Sequence, residues 1–381
     1  MVRLIHTADL HLDAAFSSRF TKEEAEERRQ RLLRAWSRLL DFAKEKQVQA
    51  VLISGDLFDS AVVSRTAMDF FLSSVRKNPE ISFFYLRGNH DTKSTFRFQE
   101  NLPKNLFLFS KEGKKYRLKE HLLLSGVEFY GEGGDSHADT EGEKNFFHLK
   151  EGDFNILMLH GTAVPYAFTE GSGEGGEKLP VEGDRISLKA LSAYPIDYLA
   201  LGHIHKREEG RVGSMQYAYP GCLVGRGFDE EGEKGFLYLE IEEERKECRS
   251  TFVPLQEGRF RILTLELTEE EDTLSTLDRI EAELRAEQAE EQDSLRIILR
   301  GERSPEGERN LRYLENQLKD RFSYVEIKEE CRLVLRQEEY REEKSLKGEF
   351  LRRVMGSENL TEEEKEKIVL LGIGLLQGEE L

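Results

Sequence analysis

The chain has 381 residues, 38% hydrophobic and 34% charged, with a formal net charge of −18. That length predicts one large domain and something smaller. No run of eighteen apolar residues occurs, which argues against a membrane-spanning helix, and three widely spaced cysteines, Cys222, Cys248 and Cys331, fit a reduced, cytoplasmic protein rather than a thiolate zinc site.

Val2 to Ala8 reads as an apolar strand running into a polar loop, without the charged and apolar regions of a secretion signal. Lys22 to Lys46 carries Leu32, Leu33, Trp36, Leu39, Leu40 and Ala43 at helical spacing. Ala50 to Ser54 is a buried strand, and Asp59 or Ser60 is placed to cap the helix that runs on through Val75. Ile81 to Leu86 is a third strand. This alternation predicts a layered α/β core. Further strands are expected at Leu122 to Tyr130, Asn155 to Leu159, Tyr198 to Leu201, Gln216 to Tyr219 and Gly235 to Ile241. Gly131 to Glu143 and Thr169 to Gly176 are rich in Gly, Glu and Ser and read as solvated loops.

The pattern restarts after Leu255 to Arg259. Strand Phe260 to Leu267, helix Thr273 to Ala289, strand Ser294 to Arg300, helix Glu306 to Arg321 and strand Tyr324 to Lys328 form a βαβαβ unit. A charged linker, Gln337 to Lys344, leads to helices Leu346 to Met355 and Thr361 to Leu376, the latter opening with the capping-box pair Thr361 and Glu364. The stripe Phe350, Leu351, Val354 and Met355 is too much for one short helix to bury, and a partner helix is the expected cover. The domains expected are 1–255, 258–336 and 337–381.

Five polar clusters each follow an apolar strand: Asp9-Leu10-His11, Gly55-Asp56-Leu57-Phe58-Asp59, Gly88-Asn89-His90-Asp91, His160-Gly161 and Gly202-His203-Ile204-His205. Ligands of layered α/β folds bind at the carboxyl ends of strands, so these clusters are placed to converge. They hold five of the nine histidines. Oxygen and imidazole donors without thiolate suit manganese, iron or zinc. Alternate residues of an extended segment point the same way, so Asp9 with His11, and His203 with His205, can reach one centre together. Each cluster alone reads as a surface turn; all five in this order do not.

This order of motifs resembles the calcineurin-like metallophosphoesterase superfamily over about the first 255 residues. Within it, His6 to Asp13, Gly55 to Asp59, and Tyr219-Pro220-Gly221 through Arg226 and Glu231 to Gly235 resemble the SbcD-type double-strand-break repair nucleases and their YhaO-like bacterial relatives. The resemblance implies a four-layer α-β-β-α sandwich, with a small α+β capping domain that binds DNA and C-terminal helices that grip a partner. It implies that Asp9, His11, Asp56 and His205 hold one metal and that Asp56, Asn89, His160 and His203 hold the other. Asp56 would bridge the two ions, most naturally manganese. It implies that His90 is a catalytic histidine beside the scissile phosphate, oriented by Asp91. The function expected is a DNA exonuclease and single-strand endonuclease, working as a homodimer with an SMC-like coiled-coil ATPase (SbcC-like or YhaN-like). The rival readings are a phosphodiesterase acting on cyclic or small nucleotides, and a non-catalytic scaffold.

The acidic total speaks against a nucleic-acid binder. From Gly258 onward, 21 basic and 32 acidic side chains give −11, which leaves −7 on the first 257 residues. Two divalent ions would add four positive charges at one spot, so net charge does not decide the substrate. Phosphate contacts are expected from Arg87, Lys93, Arg97, Lys206, Arg207 and Arg226, and Phe96 and Phe98 are placed either to stack a base or to pack in the core. His6 is expected to be a hydrogen-bonded core residue, Cys222 a packing residue, and His121, His137 and His148 structural or surface residues.

Overall fold

The computed structural model describes residues 1–16, 20–59, 63–91, 96, 102–128, 147, 149–166, 168–169, 178–179, 181–182, 184–303, 309–333 and 344–377. The chain divides into two compact units, Met1–Arg259 and Phe260–Leu381.

The first unit runs β1 (Val2–Thr7), α1 (Lys22–Glu45), β2 (Ala50–Ser54), α2 (Arg65–Arg76), β3 (Ser82–Leu86), β4 (Leu106–Leu108), β5 (Lys114–Lys119), β6 (Leu122–Gly126) and β7 (Phe154–His160). Five short strands follow: β8 (Thr162–Val164), β9 (Phe168–Thr169), β10 (Lys178–Leu179), β11 (Val181–Glu182) and β12 (Arg185–Ser187). The unit closes with α3 (Leu188–Leu191), β13 (Tyr198–Gly202), β14 (Glu208–Val212), β15 (Met215–Tyr219), β16 (Gly235–Glu242) and β17 (Glu247–Pro254).

Two six-stranded sheets form, ordered β17-β16-β1-β2-β3-β4 and β14-β15-β13-β7-β6-β5. Their centres are parallel: β1, β2, β3 and β4 in one, and β6, β7, β13 and β15 in the other. Side chains alternate across each strand, so successive residues enter different layers. Ile5, Val51, Ile53, Phe83 and Tyr85 pack outward on Leu32, Trp36, Leu39 and Phe71 of α1 and α2. Leu4, Leu52 and Phe84 pack inward on Leu124, Ile156, Met158 and Ala200 of the second sheet. Leu157, Leu159, Leu199 and Leu201 meet Leu188 and Leu191 of α3. The result is the expected α-β-β-α layering.

The sequence pattern missed β4, β5, β14 and β17. All are edge strands, and β5 and β14 are largely exposed, so they carry little apolar signal. Helix α2 begins at Arg65 after Ser64, not near Asp59; Asp59 instead faces His11. Phe96 packs among Phe58, Phe71 and Tyr85, which removes it as a base-stacking residue. Phe98, Lys93, Arg97, His137, His148, Gly131 to Glu143 and nearly all of Thr169 to Gly176 lie outside the described residues.

In the second unit, β18 (Phe260–Leu267), α4 (Thr273–Ala286), β19 (Ser294–Arg303), α5 (Leu311–Lys319) and β20 (Tyr324–Glu329) form a parallel βαβαβ unit, with β21 (Arg332–Leu333) pairing β19. Leu263, Leu265, Ile297 and Leu299 pack on Ile280, Leu284, Leu314 and Leu318. The last helices, α6 (Leu346–Met355) and α7 (Glu362–Gln377), pack on each other: Leu351, Val354 and Val369 form a small core flanked by Phe350, Met355 and Ile368. The stripe expected to need a partner helix is thus covered by α7 of the same chain. Thr361 and Glu364 form the capping box at its start. No described helix is long and apolar enough to cross a membrane.

Candidate metal centre

The five polar clusters meet at the carboxyl ends of β1, β2, β3, β7 and β13. The loops lock by main-chain bonds: Asp9 N–H donates to Gly55 O at 3.0 Å and His11 N–H to Asp56 O at 3.1 Å. The Asp9 carboxylate accepts His203 N–H at 3.0 and 3.1 Å, and Asp56 Oδ1 accepts His90 N–H at 3.0 Å.

These turns are strained. Asp9, His11, Asp56 and His203 have φ of 53°, 44°, 50° and 103°, a region costing roughly 1 kcal/mol or more per non-glycine residue and concentrated at functional sites. Gly55, at φ 94°, leaves no room for a Cβ, which would collide with the His160 ring; a Cβ on Gly88 would strike the Asp56 carboxylate. The glycines are required by ligands on other loops, beyond the demands of their own turns.

All seven expected ligands come together. Asp9, His11 and His205 offer donor atoms within 4.8 Å of one another, as do Asp9, Asp56 and His160. Asp56 Oδ2 lies 3.4 Å from His160 Nε2 and 3.9 Å from His11 Nε2, so one oxygen stands between the two sets. Asn89 Oδ1 lies 2.9 Å from His160 Nε2 and 3.1 Å from His203 Nδ1. Asp9, His11, Asp56 and His160 are almost fully buried. Among the described residues no lysine or arginine pairs with Asp9 or Asp56; imidazoles are their neighbours. Burial raises the Asp9 carboxyl. At Asp56 burial acts in the same sense, but the His160 hydrogen bond and charge outweigh it and hold the carboxyl well below the usual range. Burial lowers His160, yet Asp56 and Asp9 bring it up to about 9. A donor set of buried carboxylates and inward-facing imidazoles fits divalent cations.

Behind the donors stand Asp59, which closes the second cluster but has no expected role at the metals, and Glu230, which no motif reveals. His11 Nδ1 lies 2.9 Å from Asp59 Oδ1. His205 Nδ1 lies 2.6 Å from Glu230 Oε1. The His11 hydrogen bond and the Arg226 charge, against burial, hold Asp59 down at about 2. Burial would raise Glu230, but the His205 hydrogen bond and Arg226 bring it to about 2. His90 is 42% exposed beside the donors, its ring 5.1 Å from that of His11 and its Nδ1 3.6 Å from Asp59 Oδ1. Asp91, expected to orient His90, instead accepts the N–H groups of Gly88, Phe58 and Leu57 at 3.0, 3.1 and 3.3 Å, clamping two ligand loops together. Burial, then the Asp56 charge, raises the Asp91 carboxyl to about 6.

Three of the four cations expected on phosphate that lie among the described residues are engaged within the chain. Arg87 is ion-paired with buried Glu128. Arg226 is held by Asp59 and Glu230. Arg207 lies 4.5 Å over the Phe252 ring and pairs with Glu209 at 3.0 Å. Lys206 is exposed. His6 is buried, 3.0 Å from Tyr198 Oη and 3.1 Å from Leu201 O, and His121 is half-exposed beside Asp153. Cys222 is buried, and burial pushes its thiol up, as suits a packing residue.

This fold and donor set define a metal-dependent phosphoesterase. The calcineurin-like phosphoesterase family model matches residues 2–207, and the chain belongs to that family. It is 29% identical over 245 residues to an uncharacterized metallophosphoesterase, YhaO, of Bacillus subtilis, covering 62% of this chain and 57% of the relative. It is 25% identical over 277 residues to the DNA double-strand break repair protein Mre11 of Methanosarcina acetivorans, covering 71% and 41%. It is 22% identical over 280 residues to the SbcD component of the nuclease SbcCD of Escherichia coli K12, covering 62% and 64%. The matches span less than two thirds of each relative.

Proposed function

We propose that this protein is a manganese-dependent DNA nuclease, an exonuclease and single-strand endonuclease of double-strand-break repair in the cytoplasm. The observation that carries the reading is the convergence of Asp9, His11, Asp56, Asn89, His160, His203 and His205, with one Asp56 oxygen between His11 and His160 and His90 exposed beside them. The similarity to proteins named for nuclease activity and break repair supports DNA as the substrate.

Asp9, His11, Asp56 and His205 would hold one divalent ion, and Asp56, Asn89, His160 and His203 the other. Two such ions, when bound, supply hydroxide at neutral pH and neutralise charge on the leaving oxygen. Asp56 is the one ligand whose oxygens serve both sets, which imidazole cannot do. His90 reaches the open side of the centre and donates a proton to the leaving oxygen. Asp59 Oδ1 lies 3.6 Å from its Nδ1. Asp91 keeps the Asp56 and Asn89 loops in register. The βαβαβ unit at 258–336 is assigned to DNA capping, and the helices within 337–381 to an SMC-like coiled-coil ATPase; the active assembly is a homodimer.

A phosphodiesterase acting on cyclic or small nucleotides draws support from one feature: Arg87 and Arg226, expected on DNA phosphates, are neutralised within the chain. Comparing kcat/KM on a labelled single strand with that on 2′,3′- and 3′,5′-cyclic nucleotides separates the two. Preference for the strand supports the nuclease; preference for a cyclic nucleotide removes it.

A further inference from the structure

The two sets of candidate ligands are backed differently. His160 directs Nδ1 at a main-chain carbonyl, Ser54 O at 2.8 Å, and its Nε2 shares Asn89 Oδ1 with His203. His205 directs Nδ1 at the Glu230 carboxylate, and His11 Nδ1 lies 2.9 Å from Asp59 Oδ1. One guanidinium joins those carboxylates. Arg226 Nη1 lies 3.0 Å from Asp59 Oδ1, and its Nη2 and Nε lie 3.2 and 3.3 Å from Glu230 Oε1. The Arg226 N–H also donates to Glu230 Oε2 at 2.8 Å, and the side chain is only 21% exposed.

We propose that Arg226 is a positioning residue that acts through Asp59 and Glu230 on the Asp9–His11–Asp56–His205 site alone, so that the two metal ions are held with unequal dependence on it. The proposal rests on the two-ion reading of the centre.

A carboxylate on Nδ1–H fixes the tautomer that leaves Nε2 free, orients the ring and makes it a better donor. Arg226 Nη2 also lies 3.1 Å from His205 Nδ1, but the 2.6 Å approach to Glu230 places the ring proton on that side. Two carboxylates drawn to one place repel unless a cation lies between them. Arg226 is that cation, and its planar fork reaches both, where a lysine ammonium is a single point. Asn89, His160 and His203, by contrast, are held by one another, by Ser54, by Asp56 and, through the His203 N–H, by Asp9, and none of these contacts is made by Arg226, Asp59 or Glu230.

The test is manganese binding by calorimetric titration of the full chain, with melting of the metal-free protein as a control on folding. Wild type is expected to bind two ions. Arg226→Met is expected to weaken one binding step roughly 10- to 100-fold and leave the other in place. Arg226→Lys, which keeps the charge without the fork, is expected to recover part of the loss. Equal weakening of both steps, or an unchanged isotherm, overturns the proposal. If Arg226→Met does not fold, Glu230→Gln decides, because it keeps the side-chain shape and is expected to show the same single-step loss; two intact steps there overturn the proposal. A wild-type isotherm with fewer than two ions would sink the two-ion reading itself.

Discussion

His11 and His205, 194 residues apart in the chain, meet Nε2 to Nε2 at 3.4 Å. A carboxylate oxygen lies beside each Nδ1, and the tautomers that protonate Nδ1 leave the two Nε2 lone pairs facing each other. The contact becomes favourable with a cation between them. Manganese is therefore expected to stabilise the first unit. At a hundredfold excess over Kd, one site contributes about 2.7 kcal/mol, or roughly 5–10 °C in a domain of this size. Melting with manganese and then with chelator checks this; a midpoint indifferent to both contradicts it.

His90 is partly exposed and bonds to the ligand loops through its main chain. His90→Ala should therefore bind manganese as wild type does while turnover falls about 10²–10⁴-fold. Loss of the metals along with turnover would make His90 a ligand, against its assignment.

Asp91 satisfies three N–H groups of the ligand loops. Asp91→Ala leaves these buried donors without their acceptor, at a cost of about 2–4 kcal/mol, so the thermal midpoint should drop by roughly 5–15 °C. An unchanged midpoint would show that water replaces the carboxylate without loss.

His6 makes stability depend on pH. Burial lowers its pKa from the ordinary 6.5 to about 3. The unfolded chain therefore takes up the proton first as pH falls. The contribution of neutral His6 is whole above pH 6.5 and is lost progressively down to about pH 3, by up to ~1.4 kcal/mol per pH unit. Denaturation of metal-free wild type and His6→Gln across this range should give curves that converge toward acid; parallel curves would mean that His6 titrates normally.

The sequence made the donors legible because each follows a strand whose apolar run is plain, and because glycines such as Gly55 and Gly88 mark where the loops crowd. Its limits are physical. Asp59 reads as a helix cap, since its partners His11, His90 and Arg226 are distant in sequence. Glu230 lies in an acidic stretch where nothing distinguishes it from its neighbours. Arg87 and Arg226 look available to phosphate because Glu128 and Asp59, distant in sequence, are brought to them by packing, and Glu230, four residues from Arg226, bears no mark of its role. The α6 stripe looks uncovered because Val369, which meets it, lies beyond a turn.

The nuclease assignment stands or falls on cleavage of a labelled single strand and a blunt duplex with manganese, with magnesium and with chelator, using wild type and Asp56→Ala. Wild type is expected to cut with manganese and to stop with chelator, and Asp56→Ala, which loses the shared oxygen, to be slower by at least about 10³-fold. Cutting that survives in Asp56→Ala, or no cutting of either DNA by an enzyme that still hydrolyses a simple phosphodiester, would contradict the assignment.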